Sequence, residues 1–122
     1  MKLLSRILLA ISALLLAFGA WTHSMGFHRV EFAVAKSDLM PFVANGLKVL
    51  WLQDSTIAIV LALIFAIVAV KPAAGPKWII VVLALVPIIT AGLVYHFIGN
   101  FFGGHIFLTA GIAAILGALS KD

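Results

Sequence analysis

The chain has 122 residues; 65% are hydrophobic, only 10% are charged, and none is cysteine. Soluble domains average about 45–50% apolar and about 25% charged residues, so a water-soluble fold of this size could not hide so much apolar surface, and the lack of cysteine excludes disulfides, thiolate metal sites and cysteine nucleophiles. The formal net charge of +4 is no nucleic-acid signature, because the basic residues stand at segment ends and in loops rather than along a stripe that could follow phosphates.

A membrane span needs about 20 apolar residues, since the hydrocarbon core is about 30 Å thick and a helix rises about 1.5 Å per residue. The first candidate runs from Leu3 to Trp21, broken after Ile7 only by Ser12, with Arg6 placed to snorkel to the near interface. Lys2 and Arg6 ahead of an apolar core, with Ala17-Phe18-Gly19 behind it, also have the form of a secretory signal with a cleavage site. The apolar run to Trp21 is long for a signal core, so a retained helix is expected. A loop over residues 22–45 follows and carries Phe27, Val30, Phe32, Val34, Leu39, Met40, Phe42 and Val43. Ser37-Asp38 before Pro41 marks the start of a short amphipathic helix lying at the outer interface or folded over the bundle. Asn45-Gly46 reads as the bend into the next span.

The second span is expected over residues 49–70, and Ile57 to Val70 contains no polar side chain. Lys71-Pro72 and Gly75-Pro76-Lys77 end it and set the entry to a third span over 78–98. Pro87 lies in the middle of that third span, where it removes a backbone hydrogen bond. Gly99-Asn100 and Gly103-Gly104 lead into a fourth span over 102–119. All four runs are apolar on every side, which fits helices and not the alternating strands of a barrel. Trp21, Trp51, Trp78 and Tyr95 stand near segment ends, as interfacial aromatic residues do. The fold class expected is therefore all-α: a single bundle of four transmembrane helices with a semi-apolar outer loop.

Orientation follows the lysines and arginines. Lys2, Arg6, Lys71, Lys77 and Lys121 fall on one side, while Arg29, Lys36 and Lys48 are diluted by Glu31 and Asp38 on the other. Both termini are expected in the cytoplasm, in a bacterial cytoplasmic membrane. Small residues form stripes on each span: Ala10, Ala13, Ala17 and Ala20 on the first, Ala58, Ala62 and Ala66 on the second, and Ala110, Ala114 and Ala118 on the fourth. These either pack the bundle or, on the fourth span above all, self-associate or receive other membrane subunits.

Asp54 is the most informative polar residue. A carboxylate inside a span is expensive and faces a partner or a cavity, and Asp54 heads the stripe of Ala58, Ala62 and Ala66. Asp54, Ser55 and His96 are the candidate buried polar site. His23, Met25, His28 and His105 are candidate metal ligands, since imidazole pairs hold haem iron and histidine–methionine clusters suit copper. Each histidine has a plainer role as an amphipathic interfacial residue. No phosphate loop, zinc-protease motif, nucleophile elbow or paired acid–base carboxylates occur, so the chain leans away from catalysis.

In format alone the chain resembles the small multidrug transporters. Their essential glutamate lies in the first span, and the first span here has no carboxylate, so no residue role carries over. The functions expected are an accessory or assembly subunit or homo-oligomer, a metal or haem binder using the outer histidines, and a transporter or binder of lipophilic ligands using Asp54. The lipid bilayer is the one partner common to all three.

Overall fold

In the computed structural model, which describes residues 3–121, the chain is all helical, and no strand occurs among the described residues. Lys2, one of the cations behind the expected orientation, lies outside them. Helix α1 runs Leu3–Met25 and continues past Gly26 as the short α2, Phe27–Ala35. Helix α3 is Pro41–Val70, α4 is Lys77–Phe97 and α5 is Phe102–Leu119, with one 3-10 turn at Pro72–Ala74. Four segments are long and apolar enough to cross a membrane: α1 with α2, α3, α4 and α5.

The stretch read as a loop is mostly helix. Its short helix is α2, which precedes the Ser37-Asp38 signal, while Pro41 opens α3 at its first turn. The Met40 backbone is extended (φ −62°, ψ 148°), and its carbonyl accepts from the Ala44 amide. Asn45-Gly46 is accordingly not a bend but lies inside α3. Glycine within a helix costs about 1 kcal/mol, too little to interrupt a helix already nucleated at a proline. Only Gly99 has positive φ (101°) among the described residues, and it makes the turn between α4 and α5.

The helices cross alternately, and α1 is the hub. It packs along α3 on one side and α5 on the other, while α4 packs on α5. Helices α3 and α4 hardly touch, although they are consecutive in sequence. Next to the α3–α4 turn they do close, where Val68 of α3 and Ile80 of α4 crowd against Gly75. The bundle is therefore a ring open along one seam.

Lipid removes the hydrophobic drive for helix association, leaving packing and hydrogen bonds to hold the ring. Both are visible between α1 and α5. Ser5 Oγ donates to the Gly117 carbonyl at 2.6 Å and Ser12 Oγ to the Ala110 carbonyl at 2.7 Å, and both serines are buried. Two turns apart, they lie on one face. Ala110, Ala114 and Ala118 are fully buried. A Cβ on Gly111 would fall 2.4 Å from Ile88 Cγ1 and 3.1 Å from the Ala84 carbonyl, so α4 and α5 meet nearly backbone to backbone. On α5, Ala113 and Gly117 are buried within the bundle as well. Large side chains such as Leu14, Leu63, Ile89 and Leu116 point outward, which is the pattern lipid requires.

The end of the bundle at the α3–α4 turn is fastened by cations at the C-terminus of α3. Arg6 Nε donates to the Ala69 carbonyl at 2.7 Å, and Lys121 Nζ donates to the carbonyls of Pro72 and Gly75. These carbonyls belong to the last turn and exit of α3, where helical partners run out and the dipole favours positive charge. The contacts also hold Arg6 of α1, the α3–α4 turn and Lys121 beyond α5 together at one end of the bundle.

Candidate functional site

At the opposite end the open seam widens into a cavity of about 530 Å³. Its walls come from every helix: Gly19 and His23 of α1, Arg29 and Val30 of α2, Trp51 and Asp54 of α3, Val94 of α4, and Ile106 and Phe107 of α5. The lining is mainly apolar, and its polar side chains are those of Thr22, His23, Arg29 and Asp54. A volume of about 300–1,000 Å³ with apolar walls and a few polar groups is the form of small-ligand sites in general.

Depth can be read from the helical rise. Asp54 stands 16 residues before the C-terminal end of α3 at Val70, about 24 Å along the axis. With Val70 at one face of a hydrocarbon core about 30 Å thick, the carboxylate would stand about 6 Å inside the other face. The ten residues Pro41–Leu50 of α3 project about 15 Å further.

One wall of the cavity is a reciprocal clasp between α1 and α3. The His23 imidazole stacks on the Trp51 indole, with centroids 4.0 Å apart and planes inclined by 15°. Trp51 Nε1 donates to the His23 carbonyl at 2.8 Å. His23 Nε2 lies 3.0 Å from the Trp51 carbonyl and 3.5 Å from Asp54 Oδ2. Both neighbours of Nε2 can only accept, so Nε2 carries the proton. Gly26 allows this packing, since a Cβ there would lie 3.0 Å from the indole. Asp54 thus has its partner, His23, while 36% of its side chain stays open to the cavity side. Thr22 turns its hydroxyl back to the Phe18 and Gly19 carbonyls.

A second set of polar contacts pins the α4–α5 turn. Tyr95 Oη is 2.8 Å from His105 Nδ1, and His105 Nε2 is 2.8 Å from Asn100 Oδ1. The amide oxygen can only accept, so Nε2 is the donor and the tyrosine hydroxyl donates to Nδ1. Both nitrogens of His105 are committed to the turn. Gly104 gives the Tyr95 ring its place, for a Cβ there would lie 2.7 Å from the ring.

The candidate residues therefore separate. Asp54 and His23 come together. Ser55 is adjacent, its hydroxyl buried without a hydrogen-bond partner among the described residues. His96 does not join them: it is exposed on α4 with its ring edge-on to Phe97 at 4.6 Å. Its neighbour Tyr95, one helical step of about 100° away, is the residue that meets His105. His28 and Met25 are exposed, and no three His, Asp or Glu side chains gather at metal-binding range among the described residues. Sequence reasoning missed Trp51 as the partner of His23, and missed Arg29 and Thr22. A signal existed for the first: His23 closes one span and Trp51 and Asp54 open the next, which sets all three at one depth.

Comparison of the chain with protein-family models, with curated proteins and with solved structures found no match.

Proposed function

We propose that this small multi-pass membrane protein binds an amphiphilic ligand in its outer cavity, the polar part of the ligand meeting Asp54, His23 and Arg29 and the apolar part lying against Val94, Ile106 and Phe107. The observation that carries this reading is the cavity itself, about 530 Å³ of mainly apolar space with a carboxylate–imidazole pair on its wall. We place the protein in the bacterial cytoplasmic membrane with both termini cytoplasmic; the support is the collection of Arg6, Lys71, Lys77 and Lys121 at the end of the termini. The cavity then faces outward.

Trp51 gives a direct test, because it lines the cavity while Trp21 and Trp78 are exposed elsewhere. In W21F/W78F protein, Trp51 fluorescence should be quenched saturably by an amphiphile with a brominated chain, and an unbrominated competitor should relieve the quenching. Quenching that rises linearly with the probe, without competition, would remove the binding function.

A second reading, an accessory or assembly subunit, is favoured by the outer projection. Phe32, Leu39, Met40 and Phe42 are exposed there, Phe42 at 86%, beyond the reach of the hydrocarbon core. The check is co-purification in mild detergent: F32S/F42S should lose a partner that the native chain retains.

A further inference from the structure

We propose that His23 is a proton-operated switch on Asp54: the neutral imidazole leaves the carboxylate to a cationic ligand group, and the protonated imidazole withdraws it. The proposal rests on the outer cavity being a binding site and adds how that site is regulated.

Three features of the clasp make it a switch. First, His23 Nε2 stands between two acceptors, the Trp51 carbonyl at 3.0 Å and Asp54 Oδ2 at 3.5 Å. A neutral imidazole has one N–H, and here it serves the nearer oxygen. An imidazolium prefers the carboxylate, because charge-assisted hydrogen bonds are roughly twice as strong as neutral ones. A small turn of either side chain is enough to change partner. Second, the proton has a place to go. His23 Nδ1 has no hydrogen-bond partner among the described residues, and 22% of the side chain is exposed at the cavity.

Third, a donor waits for the carbonyl that His23 leaves. Ser55 Oγ is buried without a hydrogen-bond partner among the described residues. A serine within a helix reaches the carbonyls three and four residues back, which here belong to Leu52 and Trp51. Both are engaged: the Leu52 carbonyl accepts from Thr56 Oγ1 at 3.0 Å, and the Trp51 carbonyl from His23 Nε2. With the helical amide added, each oxygen has two donors for its two lone pairs. When Nε2 turns to Asp54, the Trp51 carbonyl comes free and the Ser55 hydroxyl takes it. The exchange leaves no acceptor worse satisfied and gives the buried hydroxyl the hydrogen bond it lacks.

The charges around the imidazole decide what the switch does. Asp54 of α3 and Arg29 of α2 line the cavity with it, while the side chains from α4 and α5 are apolar. Arg29 keeps its charge throughout. Histidine is the side chain that changes charge in the physiological range, so His23 is the lining residue suited to alter the charge of the cavity. With the imidazole neutral, the Asp54 carboxylate is uncompensated and 36% of its side chain is open. With the imidazole charged, the pair is neutral as a unit and the carboxylate is engaged. A cationic ligand is thus held at neutral pH and released in acid.

Trp51 reports both halves of the proposal, because the imidazole is stacked on its indole. In ligand-free W21F/W78F protein in vesicles, Trp51 emission should fall between about pH 8 and about pH 5, since an imidazolium against an indole quenches it. His23→Phe should abolish the change. Asp54→Asn should move it to lower pH by about one unit, and Ser55→Ala by about half a unit. Binding is then read by competed quenching with two probes that share one brominated chain, an alkyltrimethylammonium and an alkyl maltoside, neither of which titrates. The ammonium should bind about tenfold more weakly at the acid end, and the maltoside equally at both. In His23→Phe the ammonium should lose its pH dependence. A Trp51 transition that survives in His23→Phe, or that Asp54→Asn leaves in place, would overturn the switch and leave the cavity reading intact. A transition unmoved in Ser55→Ala would remove Ser55 from the exchange. Ammonium binding that ignores pH would overturn the regulation. Failure of both probes to bind at any pH would overturn the cavity reading and the regulation with it.

Discussion

Most polar side chains that matter here act on backbone carbonyls of a neighbouring helix. Ser5, Ser12, Arg6 and Lys121 each donate to a main-chain oxygen across an interface or at a helix exit. Single hydrogen bonds between membrane helices average about 0.6 kcal/mol, with a maximum near 1.7. Ser12→Ala should therefore lower stability by about 0.6 kcal/mol, measured by unfolding in mixed micelles. Gly111→Val should be worse. Its side chain would run into Ile88 and the Ala84 carbonyl, and overpacking of this kind costs about 1–3 kcal/mol. A Gly111 variant no weaker than the serine variant would show that α4 and α5 have room to part. At the clasp, His23→Phe keeps a ring against Trp51, removes the proton that Nε2 donates to the Trp51 carbonyl, and leaves Asp54 without its imidazole neighbour. The expected loss is about 1 kcal/mol, with a shifted Trp51 emission in W21F/W78F protein as its spectroscopic mark.

At the scale of elements, membrane helices and projecting helices have different means of support. Helix α2 has no buried residue, and the buried residues of α3 begin only at Ala58. Few buried contacts mean low local stability. Amide hydrogen exchange in micelles should be fastest over residues 27–50 and slowest around Leu9, Leu16 and Phe65. Uniform protection along α3 would show that the projection is held by something beyond this chain. The α1–α2 junction and the start of α3 were misread from sequence for a related reason. Ser37-Asp38, Asn45-Gly46 and scattered charges look like loop signals, yet none of them forbids a helix. Pro41 and Gly99, by contrast, constrain the backbone, and both did so where they stand. His96 illustrates the other limit. From sequence it faces His105 as readily as Tyr95 does; the rotation of α4 about its axis chose Tyr95.

For the whole molecule, the open seam gives the ring a closed end at the α3–α4 turn and an accessible end at the cavity. The proposed orientation can be checked with the same cysteine-free background. Ser37→Cys, in the outer turn, should react in intact cells with a membrane-impermeant maleimide. Ala73→Cys, in the α3–α4 turn, should react only after permeabilisation. The reverse labelling would invert the proposed topology and turn the cavity toward the cytoplasm.

The sequence by itself determined four membrane helices, because apolar runs of spanning length have no other stable form in lipid, where each backbone group must be satisfied within its own segment. It also determined that Asp54 would need a partner, because desolvating a charge is costly wherever the helix turns. Only the tertiary structure decided that the partner is His23, that α1 is the hub, and that α3 and α4 stand apart. Those outcomes depend on which small faces meet most closely and on how each helix is rotated. In lipid the apolar residues do not settle this, since every face of such a helix is equally at home against its neighbours and against the bilayer.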